Sequence, residues 1–185
     1  MPKFVLDNSS LNILLKYYYF DRDKICKKIL DFFIEKIEKG EIIIIDKVFN
    51  ELKNWTLASK EKAYLQKGID RFKKDTGTPG YLEDVDDLIN KNIIQREADR
   101  LSFEAREVEL QKYRDRIADL YLIAYCQKLK SIKEDPILIT EESRGADGKL
   151  IKKIPAICYE KSIIYRKIPY VIFEYYKKEL NFKLN

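Results

Sequence analysis

Histidine is absent from this chain of 185 residues. Its absence excludes Ser–His and Cys–His nucleophilic pairs, histidine-based acid–base ribonucleases and the zinc-binding helix that carries two histidines. In any hydrolase with this sequence, carboxylates and a hard cation would have to carry most of the chemistry. Because Mg²⁺ and Mn²⁺ prefer oxygen ligands, the expected cofactor of such an enzyme is one or two of these ions.

Cysteine is scarce, and long apolar runs are missing. The three cysteines, Cys26, Cys126 and Cys158, form no Cys-x-x-Cys pair. This odd number predicts free thiols in a reducing compartment rather than a structural zinc site. No apolar run approaches the ~18–20 residues of a membrane span, and the first residues do not resemble a signal peptide. We therefore expect a cytoplasmic protein that has no membrane partner.

The length predicts a single domain over residues 1–185, since one domain takes roughly 100–200 residues. Hydrophobic residues make up 45% and charged residues 36% of the chain, a balance typical of a globular fold. Positive charge is concentrated late in the chain, where residues 149–185 contain nine basic residues and three acids. This excess suits a polyanionic partner, although for charge alone a solvated lysine-rich surface is the preferred explanation.

Short apolar runs alternate with helical patterns along the chain. We predict strands at residues 3–6, 42–45, 136–140 and 162–165, and helices at 21–39, 47–54, 115–130, 155–161 and 169–180. Residues 58–112 are highly charged and helical in pattern, with a break at Gly77-Thr78-Pro79-Gly80, and predict a helical cap or insertion. The alternation indicates an α/β fold with a central parallel sheet and helices on both faces.

Asp119 is the most informative acid, because the segment 117–126 around it is apolar on nearly every side. Such a helix is normally buried, and a buried carboxylate without compensation is costly. A bound cation is the compensation that we expect. Hydrogen bonding to a nearby arginine or a backbone amide is the structural alternative.

Other acids fall where predicted elements end. Asp7 follows the first strand, and Glu141 and Glu142 follow the strand that ends at Thr140, so these acids should share the ligand-binding edge of the sheet. Glu51 lies in the short helix after the second strand. Each acid alone has an ordinary explanation as a cap, a turn or a surface residue. Together with Asp119 they predict a cation site.

Several short segments together carry a family resemblance. They are Phe4-Val5-Leu6-Asp7-Asn8-Ser9-Ser10, Val48-Phe49-Asn50-Glu51-Leu52, Ala118-Asp119-Leu120-Tyr121-Leu122-Ile123-Ala124, Ile137-Leu138-Ile139-Thr140-Glu141-Glu142 and Lys153-Ile154-Pro155-Ala156-Ile157-Cys158. Their order and spacing resemble the PIN-domain nucleases. More specifically, they are similar to VapC-like toxin ribonucleases of type II toxin–antitoxin systems, in a divergent group with Thr-Glu-Glu after the late strand. The resemblance covers nearly the whole chain.

The resemblance implies a three-layer α/β/α PIN-like fold and a metal-dependent endoribonuclease that cuts RNA. It further implies a small antitoxin protein as partner and a possible homodimer. The implied catalytic residues are Asp7, Glu51, Asp119 and Glu142, and Glu141 joins them as a candidate metal ligand. The fourth acid of the family is usually Asp, so this chain departs from the pattern with a longer side chain at Glu142. Residues expected to orient ligands or grip phosphates are Asn8, Ser9, Thr140, Arg144, Lys152 and Lys153.

Alternative functions remain open. One keeps the fold without catalysis, as a vestigial PIN-like module that binds nucleic acid or regulates without needing a divalent metal. A receiver-like phosphatase fits poorly, because neither 42–45 nor 136–140 offers an acceptor Asp together with a downstream Lys. A phosphate-binding P-loop motif is absent, and no motif marks an acyl-transfer Ser–Lys pair.

Overall fold

A parallel four-stranded sheet forms the centre of the fold. The computed structural model describes residues 2–17, 24–53, 75–143 and 150–180. All neighbouring strands of the sheet are parallel, in the order β2-β1-β3-β4. The strands are β1 (Lys3–Leu6), β2 (Ile42–Ile43), β3 (Pro136–Ile139) and β4 (Ile164–Arg166). This confirms the predicted α/β class.

Helices connect and cover the strands. They are α1 (Asn8–Tyr17), α2 (Lys24–Glu38), α3 (Asp46–Lys53), α4 (Leu82–Asn92), α5 (Gln95–Ala98), α6 (Phe103–Asp115), α7 (Asp119–Ser131), α8 (Ile154–Glu160), α9 (Ile168–Val171) and α10 (Lys177–Leu180). A π-helical stretch, Ile172–Tyr176, joins α9 to α10, so that residues 168–180 form one continuous C-terminal helix. Gly40 follows α2 with a φ of 71°, a left-handed conformation that suits glycine at a helix end.

Aromatic rings attach the C-terminal helix to one face of the sheet. The ring of Phe4 in β1 lies 5.2 Å from Tyr175 and 5.4 Å from Tyr176, centroid to centroid. Phe32 in α2 meets Tyr176 at 4.9 Å, so α2 shares this layer. Every residue of β3 is buried, and α7 packs against this strand. With both faces covered, the architecture is three-layer α/β/α.

The predicted break at residues 77–80 becomes a 3₁₀ turn, Thr78–Tyr81, after Gly77 with a φ of 67°. The hydroxyls of Thr76 and Thr78 both donate to Asp46 Oδ1 at the start of α3, with the Thr76 bond at 2.7 Å. This turn therefore fixes the first residue of the helix that carries Glu51. The part of the predicted insertion from residue 75 onward contains α4, α5 and most of α6, whereas 58–74 lies outside the described residues. The single-domain boundaries stay a prediction.

Three element boundaries differ from the predicted ones by two residues or more. The second strand stops at Ile43 rather than Ile45, because the Ile45 carbonyl already accepts the Phe49 N–H of α3 at 3.0 Å. The fourth strand begins at Ile164, since Ser162 has a φ of 52° and belongs to a turn. The helix expected over 115–130 begins only at Asp119. Asp119 is therefore partly buried in a first helical turn, not enclosed within a buried helix.

Two further expectations concern the thiols and the membrane. Cys126 and Cys158 are free, as predicted, and both are buried, whereas the side chain of Cys26 lies outside the described part of the structure. Within the described ranges, no helix is long and apolar enough to cross a membrane.

Candidate active site

The carboxyl ends of β1 and β3 mark the place where the chain reverses its direction across the sheet. From β1 the chain first adds β2 on one side and later adds β3 on the other. Ligands of open α/β sheets bind in the crevice at such a switch point. Asp7 follows β1 and donates its N–H to the Ile139 carbonyl at 2.9 Å, and Thr140 follows β3. The predicted meeting of these two strand ends is confirmed.

Asp7 is the buried acid of the site, with only 3% of its surface exposed. Its Oδ1 accepts the Asn8 N–H at 2.6 Å, and its Oδ2 accepts the hydroxyls of Ser9 at 2.6 Å and Thr140 at 2.9 Å. Burial raises the pKa of Asp7, although these hydrogen bonds act in the opposite direction. A cation bound next to Asp7 would therefore stabilise its buried negative charge.

Asn8 links Asp7 to Glu51. Its Nδ2 donates to Glu51 Oε2 at 2.8 Å, while Glu51 Oε1 accepts the backbone N–H of Ala118 at 2.6 Å. Burial raises the pKa of Glu51, and the nearby charge of Asp7 raises it further. The Oδ1 atom of Asn8 is buried and has no hydrogen-bond partner among the described residues. An unsatisfied carbonyl oxygen therefore belongs to the residue that joins the two carboxylates.

Glu141 and Glu142 diverge after Thr140. Glu141 Oε1 accepts the N–H of Ile168 at 2.9 Å, and Glu142 Oε2 accepts the N–H of Ile154 at 3.3 Å. These are the first residues of α9 and α8, helices whose own N-cap residues make no side-chain cap. Both glutamates thus satisfy helix N–H groups that would otherwise lack an acceptor.

The charges of the remaining acids influence Tyr113. Burial raises the pKa of Tyr113 to about 12, with contributions from the charges of Asp119, Glu109 and Glu142. Asp119 is also the residue after Ala118, whose N–H is bound by Glu51. Glu142 binds the start of α8, a helix that packs against α7, whereas Glu141 binds the start of α9. We therefore take Glu142 as the glutamate on the Asp119 side, and the identity of the fourth acid stays a prediction.

The donor chemistry of the site fits a hard divalent cation. The carboxylates of Asp7 and Glu51 and the unsatisfied Asn8 Oδ1 are oxygen donors, the type that Mg²⁺ and Mn²⁺ prefer. The full set of predicted ligands does not converge as the side chains stand. Within the described ranges, no three Asp, Glu or Cys side chains form a group that could hold a metal ion. Asp7 and Glu51 are joined through Asn8, whereas Asp119 and Glu142 both influence Tyr113 through their charges.

The predicted phosphate-binding residues have mixed outcomes. Arg144 lies outside the described residues. Lys152 is paired with Glu160 at 2.6 Å, and Lys153 is a partly exposed residue just before α8.

Sequence reasoning missed a cleft beside Glu51. Its volume is about 460 Å³, and it is lined by Lys47, Asn50, Glu51, Asp115 and Arg116. The spacing of Lys47, Asn50 and Glu51 within α3 was the available signal, because residues three and four apart share one side of a helix. The cleft gives a ligand access to the Glu51 side of the site.

Sequence reasoning also missed the capping role of the glutamates. The tripeptide Lys-Ile-Pro occurs twice, at 153–155 and 167–169, and each copy starts a helix. Lysine cannot accept a hydrogen bond from a helix N–H, so both helices need an acceptor from elsewhere in the chain. That repeated tripeptide could have predicted the two caps.

The elements that build this site fall within one known sequence family. The match extends over residues 4–175, from β1 to the C-terminal helix. No curated protein and no solved structure matches the chain. The chain belongs to the family described as Domain of unknown function (DUF4411).

Proposed function

We propose that the protein is a metal-dependent endoribonuclease that hydrolyses RNA phosphodiester bonds. The observation that carries the proposal is the buried carboxylate of Asp7 at the switch point of the sheet, joined through Asn8 to Glu51. These two acids are far apart in sequence, and each has a pKa that burial raises. RNA as the substrate comes from the resemblance to PIN-domain nucleases.

Each residue of the site has a role in this proposal. Asp7 and Asp119 would hold Mg²⁺ or Mn²⁺, with Glu51 and Glu142 as further ligands or as ligands of a second ion. A bound cation of this kind lowers the pKa of water and neutralises charge on a phosphate. Ser9 and Thr140 orient the carboxylate of Asp7, and Asn8 orients that of Glu51. A carboxylate of this set accepts the proton of the attacking water.

The biological role that we propose is the toxin of a toxin–antitoxin pair, acting in the cytoplasm. A small antitoxin protein would then cover the acidic site and repress hydrolysis. A homodimer is part of the same proposal. The support for all three is the resemblance of the sequence segments around Asp7, Glu51, Asp119 and Glu142.

A specific observation favours a second candidate, a vestigial module that binds nucleic acid without metal. Glu51, Glu141 and Glu142 each give a carboxylate oxygen to a backbone N–H. No group of three metal-binding side chains forms among the described residues. Calorimetric titration of Mn²⁺ separates the candidates. The nuclease predicts binding by the wild type that Asp7→Asn weakens, and the vestigial module predicts binding by neither protein.

Cleavage of single-stranded RNA in the presence of Mn²⁺ tests the nuclease directly. We expect cleavage by the wild type, its loss in EDTA and its loss in Asp119→Asn. A matched control is Asp135→Asn, an exposed aspartate just before β3, at the opposite edge of the same sheet. Equal cleavage by wild type and Asp119→Asn, or cleavage that persists in EDTA, would refute the proposal.

A further inference from the structure

Two large aromatic side chains stand exposed on the C-terminal helix. Tyr170 is 60% and Phe173 is 65% exposed, and their spacing of three residues places them on the same side of the helix. Lys177 Nζ lies 4.6 Å from the centroid of the Phe173 ring, a cation–π contact. Exposed Lys167 precedes Tyr170 by three residues. We call Lys167, Tyr170, Phe173 and Lys177 the basic–aromatic stripe.

The stripe is carried by a firmly packed helix. On the opposite side, Ile168, Val171 and Tyr176 are buried, each with at most 1% of its surface exposed. Tyr176 packs against both Phe4 and Phe32, which attaches the helix to the sheet and to α2. The π-helical stretch Ile172–Tyr176 lies within the stripe, and such stretches frequently occur at functional sites. The exposed rings are therefore presented by a fixed scaffold.

The stripe begins at the same edge of the sheet as the acids. Lys167 directly follows β4, whose last residue, Arg166, accepts the N–H of Thr140 through its carbonyl at 3.0 Å. Glu141 holds the next residue, Ile168, by its backbone N–H. Because β4 is two strands away from β1 and neighbouring strands are about 4.8 Å apart, the stripe starts on the order of 10 Å from the Asp7 end of β1.

The charge around the stripe suits a polyanion. Residues 161–180 contain five basic residues and two acids. Both acids are already paired with cations, Glu174 with Arg166 at 3.4 Å and Glu179 with Lys36 at 2.7 Å. Lysines on either side of exposed rings can contact phosphates while the rings stack on unpaired bases. A double helix would not offer its base faces to these rings.

We propose that the basic–aromatic stripe binds single-stranded RNA, with bases stacked on Tyr170 and Phe173 and phosphates near Lys167 and Lys177. The stripe would also guide substrate to the acids, and this role rests on the proposed nuclease function. Binding at the stripe does not, because neither stacking nor phosphate contact requires a divalent metal.

Fluorescence anisotropy with a short labelled oligouridylate, in EDTA, tests the stripe apart from hydrolysis. Since stacking on one ring contributes roughly 1–3 kcal/mol per base, Tyr170→Ala and Phe173→Ala should each weaken binding about tenfold. Lys167→Gln and Lys177→Gln should weaken binding less and flatten its dependence on salt. Phe103→Ala is the control, because Phe103 is 74% exposed at the start of α6 and is followed by an acid.

The outcomes separate this proposal from the nuclease. Unchanged affinity in Tyr170→Ala and Phe173→Ala, with folding verified by circular dichroism, would overturn the stripe as an RNA-binding surface. Equal affinity for a duplex of the same length would overturn it as well. Weakened binding in these variants, beside wild-type protein that fails to cleave RNA in Mn²⁺, would support the stripe and refute the nuclease.

Discussion

The acids at the carboxyl edge of the sheet are held in two different ways. Asp7 Oδ2 accepts two side-chain hydroxyls, from Ser9 and Thr140. The glutamates are instead bound by backbone N–H groups at the starts of α7, α8 and α9. A hydroxyl can rotate and donate elsewhere, whereas a helix N–H keeps its direction. Asp7 can therefore yield its Oδ2 to a ligand, while the glutamates also serve the fold.

The largest expected effect comes from Asp7→Asn. We expect RNA hydrolysis to fall on the order of a thousandfold, because the variant loses a charge placed at the reacting phosphate. In EDTA we expect its melting temperature to stay the same or rise, since the buried charge and its desolvation cost are gone. Initial rates in Mn²⁺ and thermal melts measure the two effects. A melting temperature lowered by many degrees would show that Asp7 mainly stabilises the fold.

A smaller effect should separate Glu142 from Glu141. Glutamine keeps an acceptor for the helix N–H and removes the charge, so the substitution tests charge apart from capping. We expect Glu142→Gln to lower kcat/KM about 10–100-fold, the range typical of residues that support a metal site. Glu141→Gln should match the wild type, because its carboxylate faces α9. Equal losses in both variants would contradict the assignment of Glu142 to the Asp119 side.

The smallest expected effect is on stability alone. Glu141→Ala leaves the Ile168 N–H without its acceptor and should lower the free energy of unfolding by about 1 kcal/mol, as other lost helix caps do. Urea denaturation measures this loss, and Glu141→Gln should restore it. Glu107→Ala, which removes an exposed glutamate from α6, is the control and should change stability by less than about 0.5 kcal/mol. If both alanine variants unfold alike, the cap contributes nothing measurable.

The two central strands, β1 and β3, could be predicted from sequence because most of their residues are buried. The predicted strands 3–6 and 136–140 are mostly apolar, and their bounds agree with the structure to within one residue. The limits of the second and fourth strands depended on Ile45 and Ser162. The Ile45 carbonyl already accepts a helical hydrogen bond, and Ser162 has a left-handed backbone. Apolar patterns carry no signal of either property.

The site was predicted in position better than in detail. Strand ends placed Asp7 beside Thr140, because parallel strands align their carboxyl ends. The prediction that Asp119 is fully buried was wrong. The apolar run around it starts before the helix, which begins only at Asp119. The partners of Glu141 and Glu142 depend on where α8 and α9 begin in space, which no local pattern contains. Only the repeated Lys-Ile-Pro tripeptide signals that those helices lack caps of their own.

The capping glutamates also influence which substitutions the chain can accept over evolutionary time. Each one binds a backbone amide, a group that every residue except proline supplies. Positions 154 and 168 can therefore drift among apolar side chains without loosening the attachment of either helix. Proline at either position would remove the N–H that the glutamate binds, and with it the hydrogen bond that ties the helix to the end of β3.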